Sequence, residues 1–391
     1  MPDCENKETK GAEVQENSYR TSTETRKTIH KAMIKMDWID DIQGRLDTFF
    51  CLSERGTTVG TEFRAGTASF LTLSYLLLVN PQIMAAAGVD HDDAVFATAL
   101  SSAVSCFVVG ICGNLPFGMA PGLGLSAYLT YGLVVAGLCT LPEALTACLA
   151  SGICVLLFAL LGFAHMLMKI VPQSIKYAIV VGMGMLIAMI GMVSVGLIEA
   201  NPKTLVELGD VSDVKLQIVL LGMLLVASLV YHDVKGGILL AIAFLTIVFW
   251  TLDDSWPDRI AQAPHVAIRG DLDLSILLDA SKFSVLFPAI LSFLLICIFD
   301  ISGVMFGLST LAGIIEEDTG EIPGSLWPFL ASSIGTTIAS LTGSTPIIVC
   351  VECASGIKEG GRTGLTACVV GSYFALAVFL VRTCNLRHLQ T

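Results

Sequence analysis

The stretch Leu341-Thr-Gly-Ser-Thr-Pro-Ile-Ile-Val-Cys-Val-Glu352-Cys-Ala-Ser-Gly356 decides how the rest of the chain is read. It is almost wholly apolar, opens on a Gly/Pro break at Gly343 and Pro346, and carries one carboxyl near its middle. Broken helical backbone at membrane depth is tolerated only where it lines a cavity or is buried in protein. An ionisable side chain in such a segment costs about 2.5–3.5 kcal/mol or more and marks function by default. Glu352 is therefore read as a substrate ligand that accepts N–H bonds, with a role in proton coupling. Charge-assisted bonds in a dry cavity are strong and geometrically selective. The competing reading is a structural carboxylate paired with a helix N-terminus.

The whole chain fits this setting. Of its 391 residues 54% are hydrophobic and only 14% charged, and its mean hydropathy is +0.76. These values exclude an ordinary soluble domain and predict an all-α polytopic membrane protein. The net charge of −12 lies largely in tails and loops. No basic stripe with interleaved aromatics is present, so nucleic acid is not an expected partner. The 12 cysteines are scattered, many in apolar runs (Cys106, Cys112, Cys148, Cys154, Cys297, Cys350), and read as small buried hydrophobes. Cys350 and Cys353 form a C-x-x-C without a second pair, so no metal and no cofactor is expected. Residues 1–35 are polar and of mixed charge, with no apolar core of a signal peptide. After them Trp38, Ile39, Ile42, Leu46, Phe49 and Phe50 have the spacing of an amphipathic surface helix over 36–50.

About eleven candidate spans follow, counting ~20 apolar residues to a crossing. They lie at 66–88, 93–113, 118–137, 143–166, 175–199, 214–231, 236–253, 284–314, 326–342, 345–357 and 363–381. The Lys/Arg distribution places the N-terminus in the cytosol, together with Lys169, Lys176, Lys235, Lys358 and Arg362. A polar break at 253–282 divides the spans into a series of seven and a second series, which the odd count makes inverted. The third span of each is interrupted: Pro116-Phe-Gly-Met-Ala-Pro-Gly-Leu-Gly124 in the first, Gly343–Gly356 in the second. Broken helices at matching positions of inverted repeats are the best pointer in a sequence to a secondary-transporter site. Their N-termini would offer N–H groups and positive dipole ends at mid-membrane.

Asp300 is the second candidate. It sits in an apolar run with no basic residue to neutralise it, so it reads as a ligand partner or proton carrier; a hydrogen-bonded structural Asp is the alternative. Gly124, Ser126 and Tyr128 follow the break in the third span, where a hydroxyl or ring facing a ligand competes with close helix packing. Phe117 is a candidate for stacking on a planar ligand, against a plain core role.

The chain also resembles a known family. The runs Phe49-Phe-Cys-Leu-Ser-Glu-Arg-Gly-Thr-Thr-Val-Gly-Thr-Glu62, Arg64-Ala-Gly66, Leu78-Val-Asn-Pro81 and Ala120-Pro-Gly-Leu-Gly124 are similar to AzgA-like purine permeases of the nucleobase–ascorbate (xanthine/uracil permease) superfamily. So are Pro172-Gln-Ser-Ile-Lys176, Asn201-Pro202 with Leu208-Gly-Asp210, Val234-Lys-Gly-Gly237, Phe299-Asp300 with Gly303, Val351-Glu352 and Gly360-Gly-Arg-Thr-Gly364. The resemblance covers about residues 46–381 in order. It implies a UraA-like fold of inverted seven-span repeats, with core and gate domains. On that scheme 1–64 is a cytosolic tail, 65–170 holds core spans one to four, and 171–255 gate spans five to seven. Residues 256–282 form an extracytosolic loop, 283–381 hold core spans eight to eleven, and 382–391 are a truncated tail lacking spans twelve to fourteen.

The resemblance further implies proton symport of hypoxanthine, guanine or adenine, with the proton as coupling ion and no other cofactor. Asp300 and Glu352 then take the acidic ligand positions, and the backbone after Pro121 and Pro346 lines the site. Two positions depart from the family pattern: Ser126 stands where the family usually has Asn, and Asp300-Ile-Ser-Gly-Val304 replaces Asp-Thr-x-Gly-Thr. Expected partners are a purine nucleobase and the lipid bilayer, with a homodimer left open. The expected location is the plasma membrane. The rival readings are a non-transporting truncated fragment of such a permease and a same-fold transporter of another nucleobase or an anion. An intramembrane aspartyl protease is a poor fit, because the Gly209-Asp210 pair lies in a loop.

Overall fold

The computed structural model describes residues 43–162, 173–201, 205–232, 234, 237–252, 272–273, 280–316 and 322–380. The polar tail 1–35, most of the break at 253–282, Pro172, Pro202, Lys235 and the tail 382–391 lie outside these. The chain divides into two compact units at Val59–Gly60. In the first, a helix over 43–50 is all of the predicted surface helix that falls among the described residues. Ser53 closes the following turn by donating its N–H and Oγ–H to Asp47, each at 2.7 Å. These bonds hold the Asp47 carboxyl below the usual carboxylate range.

The second unit is helical. Helices α1 (Val59–Leu73) and α2 (Leu76–Ala86) are two stretches of one segment, interrupted at residues 74–75. α3 (His91–Gly113) starts on Asp90, whose side chain accepts from Asp92 N at 3.0 Å, and stops at Asn114 in the left-handed region. A short strand β1 (Met119–Pro121) leads into α4 (Leu123–Ala127), which widens into π turns over Tyr128–Val134. α5 (Leu141–Leu160) opens on a capping box, with Glu143 accepting from Thr140 N at 2.8 Å. Then come α6 (Gln173–Ser194), the hairpin β2 (Ile198–Asn201) and β3 (Leu205–Leu208), α7 (Val214–Tyr231) and α8 (Gly237–Leu252). The second series comprises α9 (Ala280–Ala312), α10 (Leu326–Thr342), β4 (Ile347–Val349), a 3₁₀ turn Val351–Cys353, α11 (Ala354–Lys358) and α12 (Gly364–Leu380).

Among the described residues, Val59–Ala86, His91–Gly113, Leu141–Leu160, Val214–Tyr231 and Leu286–Ala312 are long and apolar enough to cross a membrane. α1 begins at Val59, earlier than the 66 expected from hydropathy, because its first two turns carry Glu62 and Arg64. α3 packs against α2, α10 and α12, and α5 packs against α9 and α10. Phe117, Met119, Leu125, Phe293 and Phe374 are fully buried in this core. α7 packs on α8, and their outer sides stay apolar and open, as at Leu221, Leu224 and Phe244.

The two interrupted segments meet. β1 and β4 pair antiparallel, Met119 opposite Val349, Ala120 opposite Ile348 and Pro121 opposite Ile347. Pro116, Pro121 and Pro346 explain the extended backbone, since each lacks a helical donor and disfavours helix in the residue before it. Gly343 ends α10 at φ 95°, a conformation that favours glycine. Non-helical backbone at this depth must find partners inside the protein, and it does. Gly122 N donates to Pro346 O at 3.2 Å, and Cys350 N to Gly118 O at 3.1 Å. Ile347 N donates to Thr336 Oγ1 at 3.0 Å, and its carbonyl accepts from Ser332 Oγ at 2.5 Å. Cys106 and Cys353 take part as thiols: Met119 N lies 3.2 Å from Cys106 Sγ, and Gly118 N lies 3.0 Å from Cys353 Sγ.

Candidate binding site

Glu352 lies in the 3₁₀ turn just past β4 and is half-buried. α1 grips this turn. Thr72 Oγ1 donates to Glu352 O at 3.1 Å and lies 3.0 Å from Ser355 Oγ, which itself donates to Glu352 O at 2.9 Å. Tyr75 OH donates to Glu352 Oε1 at 2.8 Å. Helix and turn come so close that Gly356 must be glycine: a Cβ there would run into Ser69 Oγ and the Ala65 carbonyl. Among the described residues Oε2 of Glu352 has no hydrogen-bond partner. The carboxylate is held by one oxygen and offers the other.

Asp300 lies on α9, which packs against the 3₁₀ turn and α11. It is half-buried, with no hydrogen-bond partner among the described residues. It shares an open helical face with Gly303, Val304 and Gly307. Two carboxyl groups on packed neighbouring elements, each with acceptor capacity left over, can accept donors from a small polar molecule or exchange a proton.

The remaining sequence candidates lie on α4 and at the strand crossing. Gly124 is half-exposed in the first turn of α4. Pro346 is buried, and its carbonyl joins the strand crossing through Gly122 N. Ser126 is fully buried. Its hydroxyl donates to Asn80 Oδ1 at 2.5 Å and lies 2.6 Å from Thr345 Oγ1. Asn80 Nδ2 in turn donates to Thr98 Oγ1 at 2.8 Å and to Ser344 Oγ at 3.2 Å. This cluster ties α2, α3, α4 and the end of α10 behind the crossing. Ser126 thus stands in a supporting network that contains an amide, on Asn80. Tyr128 packs edge-on against Phe293, ring centres 5.3 Å apart. Phe117 is fully buried, so its ring is core and offers no face for stacking.

Sequence reasoning missed Tyr75, Thr72 and Glu62. Tyr75 and Thr72 sit in an apolar span as ordinary amphipathic residues; their signal is only that a hydroxyl at mid-span needs an acceptor. Glu62 is fully buried. It accepts from Arg362 N at 2.9 Å, Thr366 N at 3.2 Å and Thr366 Oγ1 at 2.5 Å, while Asn114 Oδ1 accepts from Gly364 N at 2.7 Å. These two side chains cap α12. The Arg362 guanidinium donates to the carbonyls of Leu311 and Ala312 at the end of α9.

Comparison with known proteins agrees with this architecture. The chain is 34% identical over 341 residues to the adenine permease AdeP of Escherichia coli, covering 86% of this chain and 75% of that one. It is 31% identical to the guanine/hypoxanthine permease PbuO of Bacillus subtilis, covering 84% and 77%. In fold it is similar to the transmembrane domain of a cyanobacterial bicarbonate transporter, BicA, with a TM-score of 0.60, 17% identity and 82% of each chain covered. A family model described as Permease family (Xan_ur_permease) matches residues 60–385, and the chain, an integral membrane protein, belongs to that family.

Proposed function

We propose that this permease imports purine nucleobases (hypoxanthine, guanine or adenine) by proton symport across the plasma membrane. The observation that carries the reading is Glu352, fixed at Oε1 and open at Oε2 beside the strand crossing, in a chain whose relatives include adenine and guanine/hypoxanthine permeases. Oε2 accepts an N–H from the base edge. Asp300 carries the proton. The core at 65–170 and 283–381 moves against the gate at 171–255 and exposes the site to each side in turn. The antiparallel sense of the β1–β4 ladder supports the inverted-repeat reading. The Arg64 contact with Glu359 gathers Arg64, Lys358 and Arg362 at one end, which supports a cytosolic N-terminus.

The test is uptake of labelled hypoxanthine, guanine and adenine in cells lacking their own purine permeases, with and without a collapsed proton gradient. Glu352→Gln should lower uptake at least about tenfold, the loss of one hydrogen bond to a charged group. Asp300→Asn should abolish the dependence on the gradient. Full proton-driven uptake by Glu352→Gln at the wild-type surface level would sink the mechanism.

A further inference from the structure

Tyr75 sits where α1 gives way to α2. Ser74 Oγ donates to the Leu71 carbonyl at 3.0 Å. The N–H groups of Leu77 and Leu78 bond three residues back, to Ser74 and Tyr75, at 3.1 and 3.0 Å. From this tightened turn the phenol reaches Glu352 Oε1, while Thr72, one turn earlier, holds the carbonyl of the same residue. The end of α1 and the residue just past it therefore hold Glu352 at main chain and side chain. The bond to the main chain fixes the turn, and the bond to Oε1 orients the carboxylate and leaves Oε2 without a donor among the described residues.

We propose that Tyr75 is the positioning residue that sets the selectivity of this site: by engaging Oε1 it leaves Oε2 as the one oxygen of Glu352 whose acceptor sites are all open to a ligand. A carboxylate with both oxygens free pairs side by side with two parallel N–H groups. One whose other oxygen already accepts a phenol O–H offers the second N–H a contested, weaker acceptor. Guanine presents adjacent N1–H and N2–H groups on one edge, whereas hypoxanthine presents N1–H alone. With Tyr75 in place the contact that both bases share, N1–H to Oε2, outweighs the second one. The identity of the ligand rests on the nucleobase reading above; the hold of Tyr75 on Glu352 does not.

Two measurements on the purified full chain test this. The first is the Kd of guanine and of hypoxanthine for wild type and Tyr75→Phe, which keeps the ring and removes the donor. Hypoxanthine, whose single contact is with Oε2, should change little. Guanine should tighten by up to about tenfold, the worth of a hydrogen bond to a charged group, as Oε1 becomes free for its second N–H, so that the preference moves toward guanine. A loss of packing alone would weaken both bases equally, and that result would overturn the selectivity claim. The second measurement needs no substrate: labelling of Glu352 by dicyclohexylcarbodiimide, read on its peptide by mass spectrometry. Tyr75→Phe should speed labelling several-fold. Difluorotyrosine at position 75, a stronger donor of nearly the same shape, should slow it and covers the case of a Phe variant that does not fold. Labelling unmoved by either change overturns the proposal. If wild type binds neither purine, the nucleobase reading falls, and the labelling decides for or against the hold of Tyr75 on Glu352.

Discussion

Glu62→Gln probes the join between the first series of helices and the second. The wild-type carboxylate is fully buried, and its oxygens accept from Arg362 N, Thr363 N, Thr366 N and Thr366 Oγ1. Three of these donors are main-chain N–H groups around the first turn of α12, of which Thr366 N also reaches Thr363 O at 3.2 Å. Glutamine has the same shape but keeps one acceptor oxygen. Its amide nitrogen would face donors, whichever way it is turned. Each buried donor left unmade costs about 1–3 kcal/mol, more when the lost partner was charged. The better orientation puts the nitrogen at the Oε1 position and gives up the bond from Arg362 N, a loss of about 1–3 kcal/mol. At ~2 °C per kcal/mol, the lower end for larger domains, Tm should fall by about 2–6 °C. The assay is thermal unfolding of the detergent-purified protein at one fixed heating rate, followed by loss of the monodisperse chromatographic peak. Thr366→Val removes one side-chain donor and leaves the carboxylate, so its shift should be the smaller. A Glu62→Gln protein that melts within about 1 °C of wild type would refute the cap and the reasoning from it.

Two further substitutions bear on the site. Ser126→Ala removes the hydrogen-bond partner of Asn80 Oδ1 and Thr345 Oγ1 inside a fully buried cluster. It should destabilise the protein by about 1–3 kcal/mol and leave Kd for the base within a factor of a few; a tenfold rise in Kd with unchanged Tm would instead make Ser126 a ligand contact. Gly356→Ala drives a methyl into Ser69 Oγ and the Ala65 carbonyl, an overpacking cost of about 1–3 kcal/mol. Because that strain falls on the turn carrying Glu352, it should weaken base binding more than Ser126→Ala does, and equal Kd values for the two variants would count against the clamp.

Much of this molecule is legible along the chain, where chemistry is local. Gly343 and Pro346, with Pro116 and Pro121, break two apolar runs, and the backbone does leave the helix at both. Glu352 is conspicuous because a carboxyl in hydrocarbon has few explanations. What is not legible is pairing at long range. Nothing local says that Met119 will face Val349, since both breaks satisfy the same rules separately. Tyr75 looks like any amphipathic residue until its partner 277 positions away is known. Glu62 is hidden by the hydropathy window itself: a charge near the start of a span reads as solvent-facing, yet here the start of a helix some 300 residues later supplies the donors it needs. Ser126 follows the same pattern. Its place in a motif suggests a ligand, but only the positions of Asn80 and Thr345 show what its hydroxyl does.

The strand crossing has a consequence for how the protein is made. Val349 leaves the ribosome 349 − 119 = 230 residues after the Met119 it pairs with. At ~5–20 residues per second that is a wait of roughly 10–50 seconds. During it Met119–Pro121 must exist beside lipid without its ladder partner, and unmade main-chain bonds there are costly. The Cys106 thiol, on the preceding helix, reaches Met119 N at 3.2 Å and needs nothing from the second series. Gly118 has no such early partner, since Cys353 and Cys350 both arrive late. The first half of the chain is thus born with an open edge, and its survival in the bilayer depends on how fast the second half follows.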